Sequence, residues 1–215
     1  MRYGTCGDQD YPSSTTGHPS RQRPVLQLYD APGAGRVISS ARLRLREVTG
    51  EDAPFVLALY TDPEFLANIG DRGVRTLESA RRYIAEGPVR SYHEQGFGLY
   101  LMATKDSGNA LGMCGLLRRD WHPYVEIGFA LLPAARGHGY AYEAATAVVE
   151  FARASLRLER LTALTAPDNQ RSIRILERLG MRFERMVRAP DAPGDSRLFG
   201  LQFQPAGEES ATPFP

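Results

Sequence analysis

A repeated switch in hydrophobic periodicity, between two residues and 3.6 residues, constrains this fold more than any other sequence feature. Leu43 and Leu45 alternate with arginines, which is the period of a half-buried strand, and a helical apolar stripe follows Thr49. Along the rest of the chain the same switching predicts the element order β, α, α, β, β, β, α, β, α, β, β. This order is typical of a mixed α/β domain with a largely antiparallel front half and one parallel crossover.

Both ends of the chain lack a strand or helix period. Residues 1–40 contain 17 Gly, Pro, Ser or Thr residues, and such a segment buries too little apolar surface to offset the entropy of ordering it. We therefore predict a flexible N-terminal extension over residues 1–38, one domain over residues 39–203 and a flexible C-terminal tail over residues 204–215.

Composition and charge argue against several classes of partner. The 26 basic and 25 acidic residues leave a net charge of +1, so the chain lacks the overall attraction that non-specific nucleic-acid binding needs. We find neither a membrane-length apolar stretch nor the pattern of a secretory signal peptide. The expectation is a cytoplasmic protein without nucleic-acid or membrane partners. The histidines share no ligand spacing, so no metal is expected.

The segment from Phe129 to Ala141 is a predicted strand that runs into a glycine-rich turn and then opens a helix. Unpaired backbone N–H groups at a helix start bind phosphate, and Gly137 and Gly139 let the backbone approach an anion closely. A purely structural turn explains two glycines equally well. The segment has no Lys of a Walker A loop, and it lacks the third glycine and the acidic residue of the dinucleotide fingerprint.

The spacing of Arg136, Gly139 and Ala141 resembles the acyl-CoA pyrophosphate loop of the GCN5-related N-acetyltransferase (GNAT) family, in which Gln or Arg is followed by x-x-Gly-x-Gly/Ala. Residues 167–183 are similar to that family's Asn-x-x-Ser helix, with Met181 at the usual Phe position.

The resemblance covers residues 42–203, and segments 68–76 and 112–116 look most like the RimJ/RimL-type branch. It implies the α/β (α+β) GNAT fold, with a mixed, mostly antiparallel sheet of six to seven strands flanked by about four helices. The sheet is expected to splay between its fourth and fifth strands.

The resemblance also implies acetyl-CoA as acetyl donor and direct transfer, in a ternary complex, to a primary amine. That amine belongs to a protein N-terminus or to a small molecule. The implied cofactor-binding residues are Phe129, Ala130, Leu131, Arg136, Gly137, His138, Gly139, Tyr140, Ala141, Asn169 and Ser172. For Asn169 a helix N-cap is an equally good role, and for His138 the alternative is simple exposure in the loop.

Two residues are catalytic candidates by the same resemblance. Glu126, a carboxylate in an apolar strand, is expected to be the general base, and an ion pair with one of the many arginines is its structural alternative. Ser172 is the candidate acid by default, because the last helix has no tyrosine.

The residues that would orient the acceptor amine have two interpretations. Asp71, Arg72 and Arg75 are candidates for orienting the amine, and an exposed polar turn explains them equally well. A non-catalytic acyl-CoA sensor or interaction module is the competing function. The sequence is compatible with a monomer and with a homodimer.

Overall fold

The computed structural model describes residues 27–30, 36–190 and 192–204. Nine strands of these ranges form one sheet, in the spatial order β1-β2-β3-β4-β5-β6-β7-β9-β8. The strands are β1 (Gln27–Asp30), β2 (Arg36–Ser39), β3 (Leu43–Arg46), β4 (Leu99–Thr104), β5 (Ala110–Arg119), β6 (His122–Leu131), β7 (Arg160–Thr165), β8 (Arg182–Arg188) and β9 (Asp195–Gln202).

Six α-helical segments of the described ranges cover the sheet. They are α1 (Ala53–Tyr60), α2 (Pro63–Asn68), α3 (Leu77–Ile84), α4 (Arg90–Gln95), α5 (Tyr140–Ala154) and α6 (Gln170–Arg178). A π-helical turn, Ala85–Val89, joins α3 to α4. Short 3-10 turns, Gly50–Asp52 and Pro133–Ala135, precede α1 and follow β6.

All neighbouring strands of the sheet are antiparallel except β6 and β7, which are parallel. The fold class and the single parallel crossover are therefore confirmed. The strand count is higher than the six to seven expected, and the helical segments number six rather than about four.

The additional strands, β1 and β2, correct the predicted domain start at residue 39. Both lie inside residues 1–38 or at their edge, and Ile38 is fully buried in the core. A four-residue strand with one deeply buried side chain is too short a signal for periodicity to detect. The rest of the expected extension, residues 1–26 and 31–35, and all but the first residue of the expected tail lie outside the described residues.

Two hydrophobic cores lie on opposite faces of the sheet. Val148 and Phe151 of α5 pack with Leu45 and Ile127 in the larger core. The other core joins helices α1 and α3 to the sheet and includes Leu101. The alanines that α5 buries let its backbone come close to the sheet.

Strands β6 and β7 share one pair in register, Glu126 with Thr162. Beyond this pair β6 continues to Leu131 alongside β5, whereas it has no further register partner in β7. These are the fourth and fifth strands of the predicted order, so the expected splay is confirmed. The splay leaves a gap inside the sheet.

The described residues lack two further features. None of the helices there combines the length and apolarity needed to cross a membrane. Nor do three His, Cys, Asp or Glu side chains of those residues come together as metal ligands.

Phe151 provides a test of the larger core, because its side chain is fully buried. We expect Phe151→Ala to lower the free energy of unfolding by about 3–5 kcal/mol, since it removes apolar contacts and leaves a cavity. Urea denaturation measures this change. Leu77→Ala is the control, because Leu77 is 42% exposed, and a shift below about 0.5 kcal/mol is expected there. Equal shifts in the two variants would contradict the core assignment.

Candidate active site

A cavity of about 600 Å³ occupies the gap between β6 and β7. Its walls come from β6, β7, the loop before α5, the first turn of α5, and helices α2 and α6. Every candidate cofactor residue except His138 lines it. The splay therefore brings together residues from distant parts of the sequence.

The edge of β6 that faces the cavity has no strand partner beyond Glu126 among the described residues. Leu132 N donates to Leu111 O of the β5 side at 2.9 Å, while Leu131 O accepts from Arg136 Nε on the opposite side at 3.2 Å. Polar backbone groups alternate in direction along a strand, so the N–H and C=O of Phe129 point into the gap. This edge is suited to pair with an extended chain of amides.

The loop before α5 depends on two glycines with left-handed backbone. Gly137 has φ 84° and Gly139 has φ 78°, a region that side chains disfavour. Within the described residues, no acceptor takes the N–H groups of residues 137–142, and a Cβ at Gly137 would meet nothing within 4 Å. The open amides and the positive end of the α5 dipole fit a diphosphate.

Arg136 lines the cavity, but its guanidinium is engaged by carboxylates. It pairs with Asp62 and, at 3.2 Å, with Glu64. Asp62 also caps α2, since its Oδ1 accepts from Phe65 N at 3.1 Å. The charge expected to meet a phosphate is thus compensated, and the side chain ties the loop to α2.

His138 lies in the loop with its side chain exposed and does not line the cavity. Its backbone oxygen accepts from Arg42, which also pairs with Glu143 at 2.6 Å and lies over the Tyr140 ring. Burial raises the pKa of Glu143, but hydrogen bonds from Arg42 and Ser40 outweigh it and bring the pKa below its ordinary value. Arg42 and Glu143 therefore connect the loop before α5 to the start of β3.

Asn169 and Ser172 lie together on the cavity wall at the start of α6. The Oδ1 of Asn169 accepts from Ser172 N at 3.1 Å, so the N-cap alternative is confirmed. Among the described residues nothing hydrogen-bonds to the Ser172 hydroxyl or to the amide nitrogen of the Asn169 side chain. Both groups remain available to a ligand.

Glu126 is 2% exposed and forms an ion pair with Arg119. The structural alternative of an ion pair is therefore present. Glu126 does not line the cavity itself, but it directly precedes Ile127, which does. Its side chain projects from the same face of β6 as Gly128, another lining residue, because alternate residues share a face. The role of base stays a prediction.

A buried polar pair that the sequence does not reveal lies at the vertex of the splay. The hydroxyl of Thr162 donates to Val125 O at 3.1 Å, and the Nε2 of His122 lies 3.0 Å from that hydroxyl. Burial and the nearby arginines 185, 160 and 119 lower the pKa of His122. The pair joins β6 to β7 where they begin to diverge. Its only sequence signal is a histidine beside an apolar strand, which predicts nothing specific.

The three acceptor candidates lie away from the cavity wall. Asp71 and Arg75 form an ion pair in which each side chain is more than half exposed, and Arg72 donates to Ile69 O at 3.3 Å. Asp71 and Arg75 are thus exposed, and a role of the three residues in orienting the amine stays a prediction. Residues of α2 and its end line the cavity instead, namely Glu64, Phe65, Asn68 and Ile69.

Comparison with known proteins places this geometry among acetyltransferases. The profile of the acetyltransferase (GNAT) domain matches residues 42–182. The uncharacterized N-acetyltransferase YoaA of Bacillus subtilis is 27% identical over 154 residues, which are 71% of this chain and 86% of YoaA. The ribosomal protein uS5-alanine N-acetyltransferase of Escherichia coli is 28% identical over 102 residues, 46% of this chain and 52% of that enzyme.

Solved structures agree in fold. An acetyltransferase from Agrobacterium tumefaciens superposes with a TM-score of 0.67 at 25% identity, over 78% of this chain and 94% of that protein. RimL, a ribosomal L7/L12 α-N-protein acetyltransferase in complex with coenzyme A, gives a TM-score of 0.65 at 17% identity, over 77% of this chain and 97% of RimL. The second likeness concerns the fold alone.

Gly139→Asp tests the anion site. The new carboxylate would lie beside the open amides and repel a diphosphate, so affinity for coenzyme A should fall at least about tenfold. Gly139→Asn is the matched control, because Asn has the same shape and a similar tolerance for left-handed backbone but no charge. Isothermal titration calorimetry measures both affinities. The same affinity in the Asp and Asn variants would contradict an anion site at this loop.

Proposed function

The chain belongs to the GNAT acetyltransferase family, and we propose that it transfers the acetyl group of acetyl-CoA to a primary amine by direct transfer in a ternary complex. One observation carries the proposal: the unpaired amides of residues 137–142 open onto a cavity that also exposes the edge of β6. The similarity to ribosomal-protein acetyltransferases supports the RimJ/RimL-type branch.

Three parts of the cavity wall would hold the acetyl donor. The amides of the loop and of the first α5 turn suit the pyrophosphate, and the edge of β6 around Phe129 suits the pantetheine amides. Asn169 and Ser172 offer further polar groups from α6. When bound, acetyl-CoA supplies a thioester whose carbonyl carbon is open to attack by an amine.

Glu126 is the proposed base. An amine attacks as the neutral species, so its proton must go to an acceptor, and the Glu126 carboxylate lies next to the cavity wall on the face shared with Gly128. Arg119 holds this carboxylate in place through their ion pair. The proton of the attacking amine reaches the Glu126 carboxylate through water, because Glu126 does not itself line the cavity.

Two other groups complete the proposed chemistry. The Phe129 N–H, which points into the gap, is placed to donate to the carbonyl oxygen as charge develops there. The Ser172 hydroxyl is the proposed proton donor to the departing sulfur. Both groups lie on the wall of the same cavity.

For the acceptor we propose an α-amine, of a protein N-terminus or of a small molecule. An α-amine has a pKa of about 7.7–8.0 and a lysine side chain about 10.4, so at pH 7 the neutral fraction of the α-amine is larger by roughly two to three orders of magnitude. One buried carboxylate therefore suffices more readily for an α-amine. The E. coli relative is named for acetylation of an alanine of protein uS5.

Glu126→Gln separates the enzyme from a non-catalytic acyl-CoA sensor. We expect the acetylation rate to fall at least about a hundredfold, which is the usual contribution of a general base, while affinity for acetyl-CoA stays within about twofold. The acetylation rate is measured by the release of free thiol, and the affinity for acetyl-CoA is measured by calorimetry.

Glu184→Gln is the matched control for that variant, because Glu184 also pairs with an arginine, Arg160, yet lies away from the cavity wall. Its rate should match that of the unaltered protein. Thermal unfolding of both variants checks that they remain folded. A Glu126→Gln protein that keeps full activity would rule out the proposed base.

Acceptor preference gives a second test. Two peptides of the same sequence, each with a single lysine, are compared: one has a free N-terminal α-amine and the other has a blocked N-terminus. The first peptide should react at least about tenfold faster at pH 7. Mass spectrometry locates the acetyl group. Preferential acetylation of the blocked peptide would overturn the α-amine proposal.

A further inference from the structure

Three arginines in or near the cavity wall have their charge compensated by a carboxylate. Arg42 pairs with Glu143, Arg136 pairs with Asp62 and Glu64, and Arg171 reaches Glu64 at 3.2 Å. These three arginines face three carboxylates, Glu143, Asp62 and Glu64, so the charges balance. These side chains hold α2, the loop and α6 together.

Arg174 and Arg178 differ from the others. Both line the cavity from α6, and among the described residues no carboxylate lies within 4.0 Å of either guanidinium. Four positions apart on a helix, they project from one face. They form a pair of uncompensated positive charges on the cavity wall.

Tyr142 holds one of these charges close to the open amides. The Arg178 guanidinium carbon lies 3.9 Å from the centroid of the Tyr142 ring, and Tyr142 belongs to the first turn of α5. A cation over an aromatic face is restrained in direction but keeps its N–H groups for another partner. The Arg178 charge therefore lies beside the first turn of α5, close to the open amides, but it belongs to α6 and not to the loop that would bind the diphosphate.

A phosphomonoester suits this pair of arginines. It carries nearly two negative charges at pH 7 and three acceptor oxygens, and guanidinium groups bind phosphate oxygens in a bidentate way. Coenzyme A has such a group in addition to its diphosphate, on the 3′ position of its ribose.

We propose that Arg174 and Arg178 form a phosphomonoester subsite that recognises the 3′-phosphate of coenzyme A and so selects coenzyme A over its 3′-dephospho form. This inference rests on the proposed function, since it assumes that the diphosphate of the same molecule occupies the loop before α5. The positive charge for the nucleotide then comes from α6, whereas Arg136 serves to connect the loop to α2.

Calorimetric titration with coenzyme A and with 3′-dephospho-coenzyme A tests the subsite. The unaltered protein should bind coenzyme A at least about tenfold more tightly. In the double variant Arg174→Gln, Arg178→Gln, affinity for coenzyme A should fall to that for the dephospho form, whose own affinity should change less than about twofold. Arg182→Gln, an exposed arginine of β8 outside the cavity wall, is the matched control and should leave both affinities unchanged.

Each remaining outcome has a distinct meaning. Equal affinity of the unaltered protein for the two ligands overturns the subsite and leaves the proposed function standing. An equal loss for both ligands in the double variant also overturns it, because the arginines would then act on the whole nucleotide. Failure of the unaltered, folded protein to bind either ligand contradicts the proposed function itself. Single variants Arg174→Gln and Arg178→Gln, checked by thermal unfolding, provide the same comparison if the double variant is unstable.

Discussion

Backbone N–H and C=O groups that leave a β-ladder need other partners, and β6 leaves its ladder with β7 directly after Glu126. The remaining side of β6 is paired with β5, so its free edge lies inside the sheet rather than at a border. The cavity, the available groups of Phe129 and the position of Glu126 at the vertex all follow from this divergence. The pair of His122 and Thr162 fixes the point at which it starts.

A second constraint is electrostatic. With 26 basic and 25 acidic residues the chain is nearly neutral, yet four arginines line one cavity. Ion pairs that run from Asp62 through Arg136 and Glu64 to Arg171 link three separate elements across this cavity. The pairs made by the exposed Glu64 contribute little free energy, so they orient the wall more than they stabilise the fold. The arginines left uncompensated are then the ones able to meet a ligand's charge.

The environment of Glu126 illustrates how one pair of side chains serves two purposes. A carboxylate buried among apolar neighbours needs a partner, and Arg119 provides it. The same contact holds the carboxylate in one direction beside the cavity wall. An ion pair and a catalytic role are therefore compatible here, and the structural alternative does not displace the proposed base.

The sequence by itself determined the order of the strands from β3 onward, a capping role for Asn169 and the turn at Gly137 and Gly139, because periodicity, capping and left-handed backbone are properties of neighbouring residues. Only the tertiary structure decided which charges cancel. Asp62 and Arg136 lie 74 residues apart, so no local pattern shows that their side chains meet. The same holds for the addition of β1 and β2 to the sheet and for the contact of His122 with Thr162. Contacts between distant elements depend on how those elements pack, and local patterns in a single sequence do not predict that packing.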